Sequence, residues 1–252
     1  MPAFLSPGKL RAFLIHLGIS AGIVGVVAVL MLSVWYPQPW FMHDGGWTVF
    51  RLIMAVDVVL GPLLTLIVFQ RGKHGLARDL TIIAALQLGA LAFGVTTMIQ
   101  HRPAFIVYGE QNFFAVTWHQ VKQGSTDIDR LSQLRRSSPL RELKLVYLQL
   151  PADPEKRARL RREQNNDGPV IVSRGDYYRE LTPKDWQEIL SHGSSVAELA
   201  RNDADIRAAL EKFRQRHPEP LETFAFLPVV CRDDVVMLVF DRNTKALIGW
   251  LD

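Results

Sequence analysis

The sequence predicts an integral membrane protein, with an N-terminal three-helix transmembrane bundle followed by a soluble α+β domain whose sheet is mostly antiparallel. Two observations carry the first half. Ala12 to Met42 and Leu80 to Gln100 contain no Asp, Glu, Lys or Arg, and Leu52 to Gln70 contains only Asp57; runs of this kind supply the roughly 20 residues that cross about 30 Å of hydrocarbon. A third carries the second half: beyond Gln100 the apolar residues break into short segments punctuated by turn residues. The expected division is a transmembrane region at 1–102, with helices at about 12–36, 50–70 and 79–100, and an α+β domain at 103–252.

Composition conceals this division, because 48% hydrophobic and 21% charged residues average two unlike regions. The first hundred residues hold Lys9, Arg11, Arg51, Arg71, Lys73 and Arg78 against Asp44, Asp57 and Asp79. Of 29 basic and 25 acidic residues, 23 and 22 therefore remain beyond them. The pI near 9.3 is not a basic patch, so nucleic acid is excluded as a partner. Cys231 is the only cysteine, which rules out an intrachain disulfide; Val229 and Val230 beside it point to a buried strand residue.

Basic residues also orient the spans, since Lys and Arg in short loops stay on the cytoplasmic side. Lys9 and Arg11 precede the first run, and Arg71, Lys73 and Arg78 fill the second loop, whereas Pro37 to Phe50 has none. The N-terminus is expected inside and the C-terminal domain outside, which in a bacterium means the periplasm. Trp35, Tyr36, Trp40 and Trp47 in the outer loop fit aromatic rings at a headgroup boundary. A cleaved signal peptide is disfavoured, because the first run is too long and no small-x-small site follows it before Trp35.

Small residues indicate how the helices meet. Gly18 with Gly22, Ala85 with Gly89, and Ala90 with Gly94 form small-xxx-small pairs. Packing within the chain is the ordinary expectation; the sharper one is that such a face receives a helix of another protein. Asp57 is costly in hydrocarbon and must face protein or water. Counted from Arg51 at about 1.5 Å per residue, it lies roughly 9 Å below the outer boundary, level with Thr96, Thr97 and Ser33. A hydrogen-bonded structural carboxyl is the plain reading and an ion or proton path the sharper one, yet only His16 and Gln87 accompany it at depth. Gly61 and Pro62 follow one turn later and are expected to kink the helix.

KLRAFLIHLGIS at Lys9 to Ser20, VWYPQPWF at Val34 to Phe41, DGGW at Asp44 to Trp47, RLIMAVDVVLGPLLTLIVF at Arg51 to Phe69 and GKHGLARDLTIIAALQLGALAFG at Gly72 to Gly94 resemble, in that order, the type IV pilin accessory protein family of the TfpX and TfpZ type. The resemblance covers roughly the first 110 residues. It implies a bacterial inner-membrane protein, chaperone-like and not an enzyme, that assists a cognate type IV pilin, the major pilin first among them, into pili beside other assembly components. Asp44, Gly45, Gly46, Arg51, Asp57, Gly61 and Pro62 are the positions it carries over; Gly18, Gly22 and Gly89 join them from the small-residue argument. No cofactor or metal is implied.

In the second domain, Ala104 to Tyr108 and Asn112 to Trp118 flank Gly109 and Glu110 as a hairpin. A strand is expected at Leu143 to Leu150, then a helix opened by Asp153, Pro154 and Glu155. Its basic residues, Lys156, Arg157, Arg159, Arg161 and Arg162, spread around the cylinder at 100° steps, which marks a solvated helix and not a phosphate site. Thr182, Pro183 and Asp185 open another helix, and Ser195 with Glu198 form a capping box for a third, whose buried face would hold Val196, Leu199, Ile206, Leu210 and Phe213. Phe224 to Cys231, Val235 to Phe240 and Ala246 to Leu251 read as strands.

No HExxH, CxxC, P-loop or GxSxG is present, and His192 beside Gly193 reads as a helix joint, so no catalytic site is expected. Two rival functions remain in view. A membrane-anchored periplasmic ligand sensor would need a cytoplasmic output that the short inner segments leave little room for, and a transport component centred on Asp57 would need more acids or histidines at depth.

Overall fold

The computed structural model describes residues 6–36, 39–136, 143–193 and 204–251, and the chain divides into two compact units at 1–102 and 103–252.

In the first unit, α1 (Pro7–Leu30) opens on Ser6, whose hydroxyl accepts from the Lys9 N–H at 3.4 Å, with Pro7 in the first turn where no N–H is missed. It widens into a π-helical turn at Met31–Trp35, closed by the Tyr36 N–H on the Met31 carbonyl at 2.7 Å. After α2 (Trp40–His43), a rod runs through α3 (Gly46–Met54), a second π-helical turn (Ala55–Leu60) and α4 (Gly61–Val68). Gly72 and Gly75, at φ 81° and 83°, let the chain reverse into α5 (Leu76–His101).

The stretches Pro7–Ser33, Gly46–Val68 and Leu76–His101 run 27, 23 and 26 residues at mean hydropathies of 2.4, 2.1 and 2.0. Each is long and apolar enough to cross a bilayer. Leu14, Ile15, Val26, Leu86 and Phe93 are all more than half exposed on them, a surface that water would not favour and lipid would. The helices begin at Pro7, Gly46 and Leu76, several residues before the expected starts at 12, 50 and 79. Charge bounded the apolar runs in the sequence, but Lys9, Arg11, Arg51 and Arg78 all lie inside helices, where long basic stems extend along an apolar surface. The aromatic expectation for the outer loop also changes. Tyr36 and Trp40 are buried, Tyr36 donating its hydroxyl to the Met98 carbonyl at 3.0 Å. Phe41 packs edge-on against Tyr36, Trp47 and Phe50 at 6.1–6.4 Å between centroids. Of the loop's described indoles, Trp47 is the exposed one.

The second unit is built on a mixed seven-stranded sheet of order β4-β3-β1-β2-β5-β6-β7. Its strands are β1 (Pro103–Gly109), β2 (Asn112–Thr117), β3 (Lys144–Leu148), β4 (Tyr178–Arg179), β5 (Phe224–Val230), β6 (Val235–Asp241) and β7 (Leu247–Trp250). The pairs β1/β2, β3/β4, β5/β6 and β6/β7 are antiparallel. Parallel pairs β1/β3 and β2/β5 join them, so the sheet is mostly antiparallel, as expected; the two parallel pairs are possible because helices intervene between those strands. The hairpin turns on Glu110 and Gln111, at φ 50° and 68°, the double left-handed geometry that matches strand twist; it sits one residue later than expected.

All seven residues of β1 are buried, as befits a strand covered on both faces. On one face, Phe105, Val107, Val116 and Val146 pack with Val121 of α6 (Trp118–Gly124), Leu131 of α7 (Ile128–Arg136) and Leu160 of α8 (Pro154–Asn165). Elsewhere in the unit, Trp186 of α9 (Pro183–Ser191) meets Phe240 at 5.4 Å. Leu210 and Phe213 of α10 (Ala204–Arg216) close over Phe224, Phe226 and Val239, with Ile206 against them. The Ser195–Glu198 capping box, Val196 and Leu199 lie outside the described residues. The solvated reading of α8 agrees with its exposure, since Leu160 is its one buried residue. Arg159 and Arg174 both bind Glu163, at 2.9 and 2.7 Å, and hold its carboxyl below the usual range.

Candidate functional site

Three polar side chains, one from each long helix, meet where a bilayer-crossing chain has least reason to place them. Asp57 is the middle residue of Gly46–Val68, Ser20 is the middle residue of Pro7–Ser33, and Gln87 lies close to the middle of Leu76–His101. They line one cleft of about 200 Å³ together with His16, Ile19 and Leu88. Asp57 and Ser20 are buried, at 5% and 6% exposure. One turn away, His16 Nδ1 and the buried Thr65 hydroxyl lie 2.6 Å apart, tying α1 to α4.

The local reason for this geometry begins at Pro62. In the π-helical turn the Gly61 N–H donates to the Val56 carbonyl, one residue further back than in an α-helix. In that register the Asp57 carbonyl would await an N–H from residue 62, which proline lacks. Gln87 supplies the missing donor: its Nε2 reaches the Asp57 carbonyl at 3.0 Å, the kind of rescue by a neighbouring helix that lipid demands. Gly61 makes room for it, because a Cβ there would stand 1.9 Å from Gln87 Nε2. Asp57, Gly61, Pro62 and Gln87 are thus one device, of which the sequence reading had isolated the first three. Gln87 was visible in the sequence only as polar company for Asp57 at depth, without its bond to the carbonyl, and Ser20 was not singled out, because a single amide or hydroxyl in an apolar run carries no pattern of its own.

The carboxylate is less well served than the carbonyl. Asp57 Oδ2 is buried and has no hydrogen-bond partner among the described residues. Of the groups expected level with it, the exposed Ser33 hydroxyl donates to the Val29 carbonyl at 2.5 Å, Thr96 is exposed, and Thr97 lines, together with Asp57, a second hollow of about 210 Å³. The early start of α3 causes the mismatch, since it puts Asp57 at mid-helix and not one third of the way in.

The remaining expected positions divide clearly. Asp44, Gly45 and Gly46 form the joint between α2 and α3: Asp44 is buried, Gly45 adopts φ 80°, and a Cβ on Gly46 would stand 2.8 Å from the Phe41 carbonyl oxygen. Arg51 lies over the Trp47 ring at 5.7 Å. Gly18, Gly22 and Gly89 have open space where a side chain would stand, whereas Gly94 receives Ile53 of α3, with 2.7 Å left for a Cβ. In the second unit, the Asp185 carboxylate binds Arg179 at 2.5 and 2.8 Å and Thr182 at 2.6 Å. The Arg179 bonds, with those from Thr182, hold it far below the usual range. Among the described residues no group of His, Cys, Asp and Glu is arranged to hold a metal.

A sequence profile for the fimbrial assembly protein FimB matches residues 6–44. The fimbrial assembly protein of serogroups C1 and C2 of Dichelobacter nodosus is 33% identical over 107 residues, which span 42% of this chain and 80% of that protein. The chain belongs to the fimbrial assembly protein family. The serogroup I and E1 members from the same organism are likewise 33% identical over 107 residues, but there the match spans 41% of their length, so the chain spans under half of those two relatives. No solved structure matches this family member.

Proposed function

We propose that this chain is an inner-membrane component of pilus assembly that binds a cognate type IV pilin and holds it for incorporation, acting as an accessory of the TfpX and TfpZ kind and not as an enzyme. The observation that carries the reading is the match to fimbrial assembly proteins, 33% identical over 80% of the serogroups C1 and C2 protein. The helices support it, because Pro7–Ser33, Gly46–Val68 and Leu76–His101 present an apolar surface on which a pilin's membrane helix can lie. The basic residues Lys9, Arg11, Arg71, Lys73 and Arg78 favour a cytoplasmic N-terminus and second loop, with the sheet domain in the periplasm. That arrangement puts one unit beside the pilin's helix and the other beside its head.

The experiment is deletion of the gene in its native host with quantification of surface pili. Loss of pili, restored by the intact chain and accompanied by unchanged pilin synthesis, is the expected result; normal piliation would overturn the reading. A C-terminal alkaline phosphatase fusion, active only outside the cytoplasm, tests the orientation.

A further inference from the structure

We infer that the cleft between α1 and α5 is a docking site for one membrane helix of a pilus subunit, which presents a hydrogen-bond donor to Asp57 Oδ2 near the bilayer midplane. This rests on the assembly role proposed above and adds the place and the chemistry of contact. Both α1 and α5 pack mainly on the rod between them, so the cleft opens sideways between two helices with Asp57 as its polar floor. Exposed Ile19 and Leu88 stand on its two rims.

Two independent features select the occupant. The first is the carboxylate itself: Oδ2 is buried and has no hydrogen-bond partner among the described residues, in a side chain that is only 5% exposed. In hydrocarbon such a group is paired with a complementary one; the nearest amide, Gln87, gives one of its two N–H donors to the Asp57 carbonyl, and no described side chain hydrogen-bonds Oδ2. The matching group is an ammonium, amide or hydroxyl. The second feature is size and lining. About 200 Å³ holds a side chain or two and not a helix, so the partner lays one face across the rims and lowers a single donor side chain between Ile19 and Leu88. The second hollow beside Asp57, lined by Phe93, Gly94 and Thr97, lacks the further polar groups His16, Ser20 and Gln87 that the cleft offers.

The test is site-specific photocrosslinking in piliated cells, using the full chain with the probe at Ile19 or Leu88, and at Val29 or Phe93 for comparison. All four are exposed; Val29 lines neither hollow and Phe93 lines the other one. The expected result is a pilin membrane-helix peptide, identified by mass spectrometry, joined from both rims about tenfold more than from Val29 or Phe93, the scale of one hydrogen bond to a charged group. Asp57→Leu should remove that excess, and Asp57→Asn should retain part of it through its remaining acceptor. Leu88→Trp, which fills the mouth from an exposed position, should also remove it from an Ile19 probe while leaving the fold untouched. Equal yields at the four positions, a preference for Phe93, a second copy of this chain in place of pilin, or a rim excess that survives both Asp57→Leu and Leu88→Trp would each overturn the assignment. The deletion phenotype distinguishes this failure from that of the assembly role: pili lost on deletion with no rim excess leaves the role standing and the cleft refuted.

Discussion

Asp57 and Asp185 are both buried carboxylates, and the two units treat them in opposite ways. In the sheet unit, Asp185 accepts two bonds from Arg179 and two from Thr182, so each oxygen is used within the chain. In the helical unit, Asp57 leaves Oδ2 without a partner among the described residues, although Gln87 of a neighbouring helix satisfies its carbonyl. A water-facing domain must close its polar groups internally to reach a folded state. A membrane unit can retain an open acceptor if a helix arriving in the same solvent completes it. On the docking proposal, the difference separates a residue that serves the fold from one that serves an encounter.

The largest effect should come from breaking the closed carboxylate. Asp185→Ala removes both bonds to Arg179 and the side-chain half of the α9 capping box, the bonds from Thr182 to the carboxylate, and should cost about 2 to 3 kcal/mol, read as a lower denaturant midpoint for sheet circular dichroism of the detergent-solubilised chain. Its acid dependence has a definite sign. The folded pKa lies below the unfolded value near 3.9, so the contribution is complete above that value and lost as pH falls from it toward the folded pKa. Asp185→Asn should flatten the stability profile below about pH 4 and change its slope little at neutral pH. An unchanged midpoint on truncation to Ala would show that Arg179 and Thr182 are satisfied without it.

Next comes Gly61→Ala, which sharpens the comparison from the helical side. The new methyl would occupy the position of the Gln87 amide. That amide swings away and leaves the Asp57 carbonyl without its donor, at a cost of about 1 to 3 kcal/mol. Gln87→Leu should reproduce most of the loss, and adding it to Gly61→Ala should add little, because both remove one bond. Additive losses would separate the glycine from the amide. A smaller effect is expected of Thr65→Val, which deprives His16 of its partner at 2.6 Å and should cost about 0.6 to 1 kcal/mol, the usual worth of a hydrogen bond between membrane helices.

How much of this was legible depends on whether the signal was a pattern or a meeting. Long apolar runs, two of them charge-free and one interrupted only by Asp57, locate the three long helices, and the Thr182–Asp185 capping box is present at the N-terminus of α9. Arg179 is held by Asp185 and lies 4.1 Å above the Tyr147 ring; nothing in its neighbours along the chain records a partner six residues on across a turn. The parallel pairings β1/β3 and β2/β5 were illegible for a similar reason, since strand patterns fix faces and not neighbours. Asp57 declared itself by being alone, but Gln87 becomes significant only when Pro62 on another helix lacks an N–H. The glycines divide in the same manner, because one spacing in sequence produces a packed face at Gly94 and open faces at Gly22 and Gly89.

That division supplies the smallest expected effect and a sharp control. Gly22→Leu adds a side chain where nothing lies within 4 Å, so the stability of the chain in detergent should stay within about 0.5 kcal/mol. Gly94→Leu must displace Ile53 and should cost about 1 to 3 kcal/mol as an overpacked contact. Both replacements insert the same side chain into a helix of similar composition, so the contrast isolates packing from propensity. The informative measurement is then pili per cell for Gly22→Leu. Normal piliation would leave the Gly18–Gly22 face to lipid and confine helix recognition to the cleft above Asp57. A loss of pili in a fully stable protein would mean that the outward glycine face also receives a helix, and that two surfaces of α1 are used in turn.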